Sequence, residues 1–434
     1  MDKMADVLGR AGAWCGQNKY LSAIKNAFQN FMPLTMDGAI GVLWCNVLVN
    51  DQTGLGLFFK PIMALDFLNP AFQAVNFCTI SCITVGITLG IAQEIGVWNM
   101  GAERAGYIPG LVGLAAWLSV TNTSHMVEGA KEAFTGIAGN ELGATGLFTG
   151  MIIGVLSVEL FCFFEKQDAL KIKMPEQVPP GVARAFEVLV PATITLIITA
   201  CIGSACYNLT GLYLNDVIKN GVQGPLGAVG ATVPGVMIIY LVIMLFWLVG
   251  IHGNNMLSAV KEALFTPLAL ENVEKFNKGE KPTNIINMYA LQMWGEFGGS
   301  GVTIGLVIAI MIFGKREDNK AIATLSLVPG LFNINETVTF GIPMVLNPIL
   351  GIPFVFACLV TILVGYVLTV IGFCPVACLT VPWTTPPIVF GFLACGANVM
   401  GAVTQAILIV VSTVIYVPFL ISYEKYQNKQ AAEA

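Results

Sequence analysis

Charged residues are scarce in this sequence. Only 11% of its 434 residues are Asp, Glu, Lys or Arg, while 56% are hydrophobic, and the mean hydropathy is +0.77. A soluble domain carries about 25% charged residues, which help to cover a surface that faces water. So few charges exclude an ordinary soluble protein and indicate a chain embedded in a membrane. No run of basic residues suggests a nucleic-acid partner.

Several kinds of catalytic and metal-binding sequence are also missing. There is no glycine-rich phosphate loop, no dinucleotide-binding fingerprint and no HExxH zinc motif. The two histidines and eleven cysteines form neither a metal-ligand nor a disulfide pattern, and most of the cysteines lie in apolar runs, as packing residues do. The sequence therefore predicts no metal, no cofactor and no nucleotide site of its own.

The apolar residues cluster into runs long enough to cross a bilayer. A membrane-spanning helix needs about 20 mostly apolar residues. Runs of this kind lie at residues 31–50, 73–95, 106–121, 144–164, 185–207, 229–250, 299–314, 352–373 and 402–422. They predict an all-α protein with many transmembrane helices.

Two apolar stretches in the second half are interrupted by polar residues, glycine and proline. They lie near residues 251–270 and 333–350. Non-helical backbone at membrane depth persists only where protein or a water-filled cavity satisfies its polar groups. Both stretches are therefore predicted to be re-entrant hairpins, as in transporter binding sites. The chain then divides into an N-terminal transmembrane region, residues 1–225, and a C-terminal region, residues 226–434, that carries the site.

The distribution of lysine and arginine predicts the orientation in the membrane. Residues 18–31 form an amphipathic helical pattern suited to the membrane surface, and their basic neighbours predict a cytoplasmic N-terminus. The basic stretch at residues 166–184 and the tail, with Lys425 and Lys429, are also expected on the cytoplasmic side. Both termini are therefore predicted to be cytoplasmic.

The sequence IHGNN, residues 251–255, directly follows an apolar run. A titratable group at membrane depth is costly and needs a partner or water. The neutral imidazole of His252 offers one donor and one acceptor, which suits a sugar hydroxyl. The alternative is a hydrogen-bonded packing histidine at a helix end.

A second polar group lies in the apolar stretch at residues 327–354. Asn333, Asn335 and Glu336 stand together there, and the stretch contains no Lys or Arg to pair with the carboxylate. An ionised carboxylate in such a place is expensive unless it is hydrogen-bonded. Glu336 is therefore expected to bind a polar ligand beside the asparagines. A structural carboxylate bonded to backbone amides of a broken helix is the alternative.

Two further segments are less specific. The sequence GEFGGSGVTIG, residues 295–305, allows close backbone approach and frees amide donors, but a flexible loop or close helix packing gives the same pattern. The sequence VPWTTPPIVFGF, residues 381–392, breaks an apolar run at Trp383, whose ring is suited to stacking on a sugar. Tryptophan is equally common at membrane interfaces.

Together these motifs resemble the lactose/cellobiose/diacetylchitobiose family of enzyme IIC components of the bacterial phosphoenolpyruvate-dependent phosphotransferase system. The similarity runs over nearly the whole chain, through NKYLSAIKNAFQNFMPL at residues 18–34, KIKMPEQVPPGVARAFEVLVP at 171–191, IHGNN at 251–255, GGSGVTIGLV at 298–307, SLVPGLFNINETVTFGIPMVLNPILGIPF at 326–354 and PWTTPP at 382–387. Two departures bear on the identity of the sugar. Thr337 stands after NINE where the family is expected to have proline, and residues 51–56 are atypical.

The resemblance implies a homodimer in the bacterial cell membrane, with about ten transmembrane helices, amphipathic helices and two re-entrant hairpins in each protomer. The N-terminal region is expected to form the dimer. A β-linked disaccharide such as cellobiose, diacetylchitobiose or lactose is expected in the C-terminal half. It is phosphorylated during import by a cysteine-bound phosphate of enzyme IIB. Because the sequence ends at residue 434, neither the IIA nor the IIB domain is expected to be fused to it.

Within this resemblance, IHGNN and NINE match the sugar-site motifs, so His252 and Glu336 are expected to bind the sugar. Four more residues are expected in the same site: Asn254, Gly301, Asn335 and Trp383. Phosphoryl transfer needs an acceptor hydroxyl in line and a group that takes its proton. Glu336 is predicted to hold that hydroxyl and take the proton, and His252 to orient it, while the partner supplies the phosphoryl group.

Two other classes of protein would use the same residues. An ion-coupled secondary sugar transporter would use Glu336 and His252 as proton carriers. A membrane enzyme acting on lipid-linked substrates would use Glu336 as its base. The sequence has no ladder of titratable groups across the membrane, and the ordered series of matching motifs favours the phosphotransferase permease.

Overall fold

The computed structural model describes residues 10, 14, 17–51, 56, 58–125, 134–175, 177–225, 230–342, 344 and 347–433. Residues 52–55 of the atypical loop at 51–56 lie outside this part of the chain. Where it is described, the chain is mainly α-helical, and its strands form one short antiparallel pair, Ser124–His125 with Phe134–Thr135.

The α-helices are numbered here in chain order. They are α1 (Lys19–Leu43), α2 (Asn69–Cys78), α3 (Ile83–Met100), α4 (Ala102–Ala105), α5 (Ile108–Val120), α6 (Gly139–Leu142), α7 (Ala144–Glu165), α8 (Pro180–Thr210), α9 (Leu214–Ile218), α10 (Val233–Leu248), α11 (Gly253–Met256), α12 (Ser258–Asn277), α13 (Met288–Gly295), α14 (Ile304–Phe313), α15 (Glu317–Leu331), α16 (Glu336–Gly341), α17 (Gly351–Val370), α18 (Val389–Ala394) and α19 (Val399–Glu433). Short π or 3-10 segments occupy Trp44–Leu48, Lys60–Leu68, Ile80–Cys82, Asp168–Leu170 and Lys219–Gln223.

Several helices have the length and composition of membrane spans. Within the described residues, six helical segments are long and apolar enough to cross a bilayer: Lys19–Leu48, Lys60–Met100, Ala144–Glu165, Pro180–Thr210, Gly351–Val370 and Val399–Glu433. Three shorter apolar helices, α5, α10 and α14, add to them. Large apolar side chains on these helices point outward, including Leu156 at 60%, Ile197 at 58% and Val414 at 64% exposure. Lipid, unlike water, is a favourable environment for them, so the predicted all-α membrane protein is confirmed.

The first helix differs in extent from the sequence-based prediction. The amphipathic segment at residues 18–31 and the span at 31–50 form one helix, α1, which continues through Pro33 and ends in the π turn Trp44–Leu48. Residues 28–37 contain no glycine that would end a helix, and a single proline kinks a helix more often than it terminates one in a membrane.

The chain forms two compact units. One comprises residues 17–38 and 75–227, and the other comprises residues 1–16, 39–74 and 228–434. Residues 39–74, which the sequence analysis places with the N-terminal region, thus group with the C-terminal residues. Asn46 shows how: its Nδ2 donates to Asn277 Oδ1 (3.2 Å) at the end of α12.

Small residues bring the helices of the first unit together. A Cβ at Gly96 would lie 2.2 Å from Pro109, and one at Gly113 would lie 2.3 Å from Ala92. Helices α3 and α5 are therefore in backbone contact, as is usual where small residues line a membrane helix interface. Trp117 is fully buried in the same core.

In the second unit, the predicted span at residues 299–314 is only ten residues long as a helix, α14. It is preceded by the eight-residue helix α13 and by residues 296–303, which we call the glycine turn. Both helices are shorter than the roughly 20 residues that a crossing requires. The predicted span begins five residues before the helix, because the glycines and Val302 of the glycine turn do not interrupt an apolar run.

The two interrupted stretches are irregular only in part, since residues 258–270 of the first one belong to the continuous helix α12 rather than to a hairpin. Helix α10 ends at Leu248, Gly250 adopts a left-handed φ of 79°, and the four-residue α11 precedes the continuous α12. In the second stretch, Asn333 has a φ of 63° and α16 is only six residues long. Pro343 lies outside the described residues. The depth of both stretches in a bilayer stays a prediction.

Candidate functional site

His252 forms the N-terminal cap of α11. Its Nδ1 accepts a hydrogen bond from the backbone amide of Asn255 (3.2 Å). The neutral ring must then carry its proton on Nε2, which leaves Nε2 as a donor toward the site. The ring also lies against Trp247, with centroids 4.5 Å apart. A helix-end histidine was one of the two readings of the sequence, and the capping bond leaves the second nitrogen available.

Glu336 is the first residue of α16 and faces His252. Its Oε1 lies 3.9 Å from His252 Nε2, and the two side chains are 47% and 38% exposed, respectively. A donor and a carboxylate at this separation can both reach one hydroxyl group of a ligand, each with room for a normal hydrogen bond. The structure thus brings together the two residues on which the sequence analysis relied most.

The asparagines of NINE fasten this segment to the glycine turn. Asn335 is buried, and its Nδ2 donates to Ser300 O (2.8 Å). Asn333 Oδ1 accepts from Gly298 N (2.6 Å), while its Nδ2 donates to Thr385 O (3.0 Å). Both asparagine side chains therefore hydrogen-bond to backbone groups of neighbouring segments. These bonds fix the position of the backbone that leads directly into Glu336.

At two positions of the glycine turn, Gly299 and Gly301, the backbone leaves room only for glycine. Gly299 has a φ of 87°, and a Cβ there would lie 2.6 Å from Asn335 Cβ. Gly301 has a φ of 77°, a Cβ there would lie 2.3 Å from the Phe354 ring, and its carbonyl accepts from the Tyr416 hydroxyl (2.8 Å). The backbone of Gly301 is thus fixed by its packing on Phe354 and by the Tyr416 hydrogen bond.

Trp383 and Asn254 complete the residues expected from the sequence. The Trp383 side chain is 44% exposed, and its carbonyl accepts from Asn333 Nδ2, which ties the PWTTPP segment to NINE. Asn254 lies two positions after His252, and its Oδ1 is buried without a hydrogen-bond partner among the described residues. An acceptor in this condition suits a ligand hydroxyl.

Four residues around the site were missed from the sequence. Trp247 packs on His252, and its Nε1 is buried with no partner in the described part of the chain. Lys261, Glu296 and Tyr240 form a buried polar cluster. Lys261, which is followed by Glu262, left a signal in the sequence as a charged residue within a mainly apolar stretch. No group of three or more His, Cys, Asp or Glu residues in the described ranges is arranged to hold a metal ion.

The fold and this candidate site define a class: a helical membrane protein with a polar candidate site formed by interrupted helices. The family model described as "Phosphotransferase system, EIIC" matches residues 25–358 of the sequence. The chain belongs to this family, and it is therefore an integral membrane protein of a sugar phosphotransferase system.

Individual relatives are similar over almost their entire lengths. The oligo-beta-mannoside-specific EIIC component of Bacillus subtilis (strain 168) is 32% identical over 98% of this chain and 94% of its own length. The cellobiose-specific EIIC component of Lactococcus lactis subsp. lactis (strain IL1403) is 28% identical over 98% of both chains. The crystal structure of the transporter ChbC, the IIC component of the N,N'-diacetylchitobiose-specific system, superposes with a TM-score of 0.88 at 29% identity, covering 97% of each chain.

Proposed function

We propose that this chain imports a β-linked disaccharide, such as cellobiose, diacetylchitobiose or lactose, and presents it for phosphorylation by a IIB partner. The observation that carries the proposal is the His252–Glu336 pair, a donor and a carboxylate 3.9 Å apart. The specificities of the relatives support the sugar class, because oligo-beta-mannoside, cellobiose and diacetylchitobiose are all oligosaccharides.

The chemistry assigns different roles to the two residues. Glu336 accepts a hydrogen bond from the sugar hydroxyl that is to be phosphorylated and takes its proton as the phosphoryl group arrives. His252 donates from Nε2 to the same or a neighbouring hydroxyl and fixes its direction. Asn254, Gly301, Asn335 and Trp383 are proposed to complete the sugar site, the tryptophan by stacking on a ring.

A binding screen tests the proposed substrate class. Purified protein is titrated by calorimetry with cellobiose, lactose and diacetylchitobiose, with sucrose as a disaccharide that lacks their β-1,4 linkage. We expect one of the first three to bind and sucrose not to bind. Failure of all three, with the protein folded, would remove the β-linked disaccharide from the proposal.

Removing the His252 imidazole should weaken sugar binding by about tenfold, because a hydrogen bond lost in a dry site costs about 1–3 kcal/mol. His252→Ala also removes the cap of α11, so His252→Asn is the decisive companion. Asparagine is a good N-cap but has no atom in the place of Nε2.

Calorimetry of the two variants separates the roles of His252. Equal losses of affinity in both variants identify Nε2 as a sugar ligand. Normal affinity in His252→Asn would reduce His252 to a helix cap. His125→Ala, which changes the other histidine of the chain, should leave sugar affinity unchanged.

We further propose a homodimer with both termini and the 166–184 loop on the cytoplasmic side of the bacterial membrane. A single cysteine replacing Lys173, whose side chain is exposed, should resist an impermeant maleimide added to intact cells. Lys171, in the same loop, is less suitable than Lys173 for the labelling cysteine, because its side chain is half-buried and paired with Asp168 (2.9 Å).

The matched control is Gly139→Cys on the opposite side of the proposed topology. Gly139 is exposed, and a side chain there meets no atom within 4 Å. Both variants are made in a background without the native cysteines. Labelling at residue 173 as fast as at residue 139 would invert the topology.

A further inference from the structure

Lys261, Glu296 and Tyr240 form a compact polar cluster inside the second unit. The Lys261 ammonium and the Tyr240 hydroxyl both donate to the same carboxylate oxygen, Glu296 Oε1, the hydroxyl at 2.7 Å. The ammonium also lies 5.5 Å from the centre of the Tyr240 ring. Lys261 is 6% exposed and Tyr240 is fully buried. We call these three residues the Glu296 cluster.

Each member of the Glu296 cluster comes from a different element. Tyr240 lies on α10, whose last turn carries Trp247 against the His252 ring. Lys261 lies in the first turn of α12, and its backbone amide bonds to Leu257 O (2.9 Å) just after α11. Both elements adjoin His252 in the chain. The cluster therefore fixes the position of the segment that carries the imidazole.

Glu296 belongs to the glycine turn, which fixes the position of the segment that carries Glu336. It is the first residue of the glycine turn, and its carbonyl accepts from Gly299 N (3.0 Å). The glycine turn also hydrogen-bonds to both asparagines: Gly298 N donates to Asn333, and Ser300 O accepts from Asn335. Glu336 follows directly. His252 and Glu336 are therefore linked through Glu296, in addition to the 3.9 Å approach of their own side chains.

Stability alone is a poor reason for such a cluster. The desolvation of two charges offsets most of their attraction, and buried ion pairs are often replaceable by apolar side chains without loss of stability. The best attested use of a buried ion pair is to fix one relative placement of the elements that it joins. The elements joined here are α10, α12 and the glycine turn, which adjoin the segments that carry His252 and Glu336.

We infer that Lys261, Glu296 and Tyr240 are positioning residues that set the separation and orientation of His252 and Glu336. This inference rests on the proposed function, in which those two residues bind the sugar. It predicts that the effects of Glu296 and Glu336 on sugar affinity are coupled, although the two side chains have different partners. A residue that only stabilises the fold contributes independently of Glu336, because distant and unconnected changes add.

The test is a double-mutant cycle on sugar affinity. Glu296→Gln keeps the size of the side chain and removes its charge. We expect it to lower sugar affinity about tenfold in the wild-type background and less than about threefold in the Glu336→Gln background, a coupling of the size found for connected residues. The control is Glu424→Gln, which changes another buried carboxylate of the same unit that accepts from Lys315 N (2.9 Å) and Arg316 N (3.3 Å). Its effect should be small and equal in both backgrounds.

Additive losses for Glu296→Gln and Glu336→Gln would overturn the inference. If Glu296→Gln does not fold, Tyr240→Phe replaces it in the same cycle, because it removes one hydrogen bond from Glu296 and leaves the ion pair in place. The same two outcomes then decide.

A second readout needs no sugar. Diethyl pyrocarbonate modifies histidines, and the chain has only His252 and His125, whose modification rates mass spectrometry can follow separately. Glu296→Gln should raise the rate at His252 and leave the rate at His125 unchanged, while Glu424→Gln should change neither. If the wild-type protein binds none of the sugars, the proposed substrate class fails by itself. An unchanged rate at His252 in Glu296→Gln would then overturn the positioning role independently.

Discussion

Glu336→Gln is expected to lower sugar phosphorylation by about 10²–10⁴-fold, the usual contribution of a general base. The amide keeps the shape of the carboxylate and one acceptor oxygen, but it is a far weaker base. Sugar affinity should fall only about fivefold, because a charge-assisted hydrogen bond becomes a neutral one. The two losses are expected to differ because the proton is taken only when the phosphoryl group is transferred.

Calorimetry gives the affinity of this variant, and sugar-phosphate formation in vesicles with phosphorylated partner proteins gives its activity. The matched control is Glu280→Gln, which removes an exposed carboxylate of the same unit and should change neither quantity. Small and equal losses for Glu336→Gln would make Glu336 a hydrogen-bonding ligand only. Normal values in both assays would assign it a structural role.

Gly299→Ala is expected to abolish measurable sugar binding, with an affinity loss of about 100-fold or more. Two costs add at this position. A left-handed φ of 87° is strained for alanine by about 1–3 kcal/mol, and the new Cβ would lie 2.6 Å from Asn335 Cβ. Asn335 is short and held by Ser300 O, so it can yield only if the NINE segment moves, and Glu336 moves with it.

Gly279→Ala isolates the first of these costs. Gly279 has a similar φ of 73°, but a Cβ there meets nothing within 4 Å. Both variants should lose thermal stability, whereas only Gly299→Ala should lose sugar binding in calorimetry. Normal sugar affinity in a folded Gly299→Ala protein would show that the contact between the glycine turn and Asn335 does not position the site.

The sequence predicted the class of fold because hydrophobic composition alone identifies a helical membrane protein. It did not predict the grouping of residues 39–74 with the C-terminal residues, since that depends on contacts such as Asn46 with Asn277, which are distant in the chain. Nor did it separate α14 from the glycine turn. Gly298, Gly299 and Gly301 bring no polar side chain that would end an apolar run, and their left-handed conformations are visible only as backbone angles.

The site was predictable where a polar residue interrupts an apolar run. His252 and Glu336 stand out for this reason, and the structure places them 3.9 Å apart. Glu296 did not stand out, because its partners Tyr240 and Lys261 lie on other elements and no local pattern joins them. The asparagines of NINE were expected beside a ligand, yet their side chains are engaged with backbone carbonyls and an amide. Partner choice of this kind follows from tertiary packing rather than from residue type.

Transport by reconstituted vesicles tests the central claim most directly. The protein is placed in vesicles, a labelled β-linked disaccharide is added outside, and phosphorylated partner proteins are enclosed inside, with no ion gradient. We expect sugar phosphate to accumulate inside only when the phosphorylated partners are present. Uptake of unmodified sugar that requires a proton or sodium gradient and ignores the partners would contradict the account and identify a secondary transporter instead.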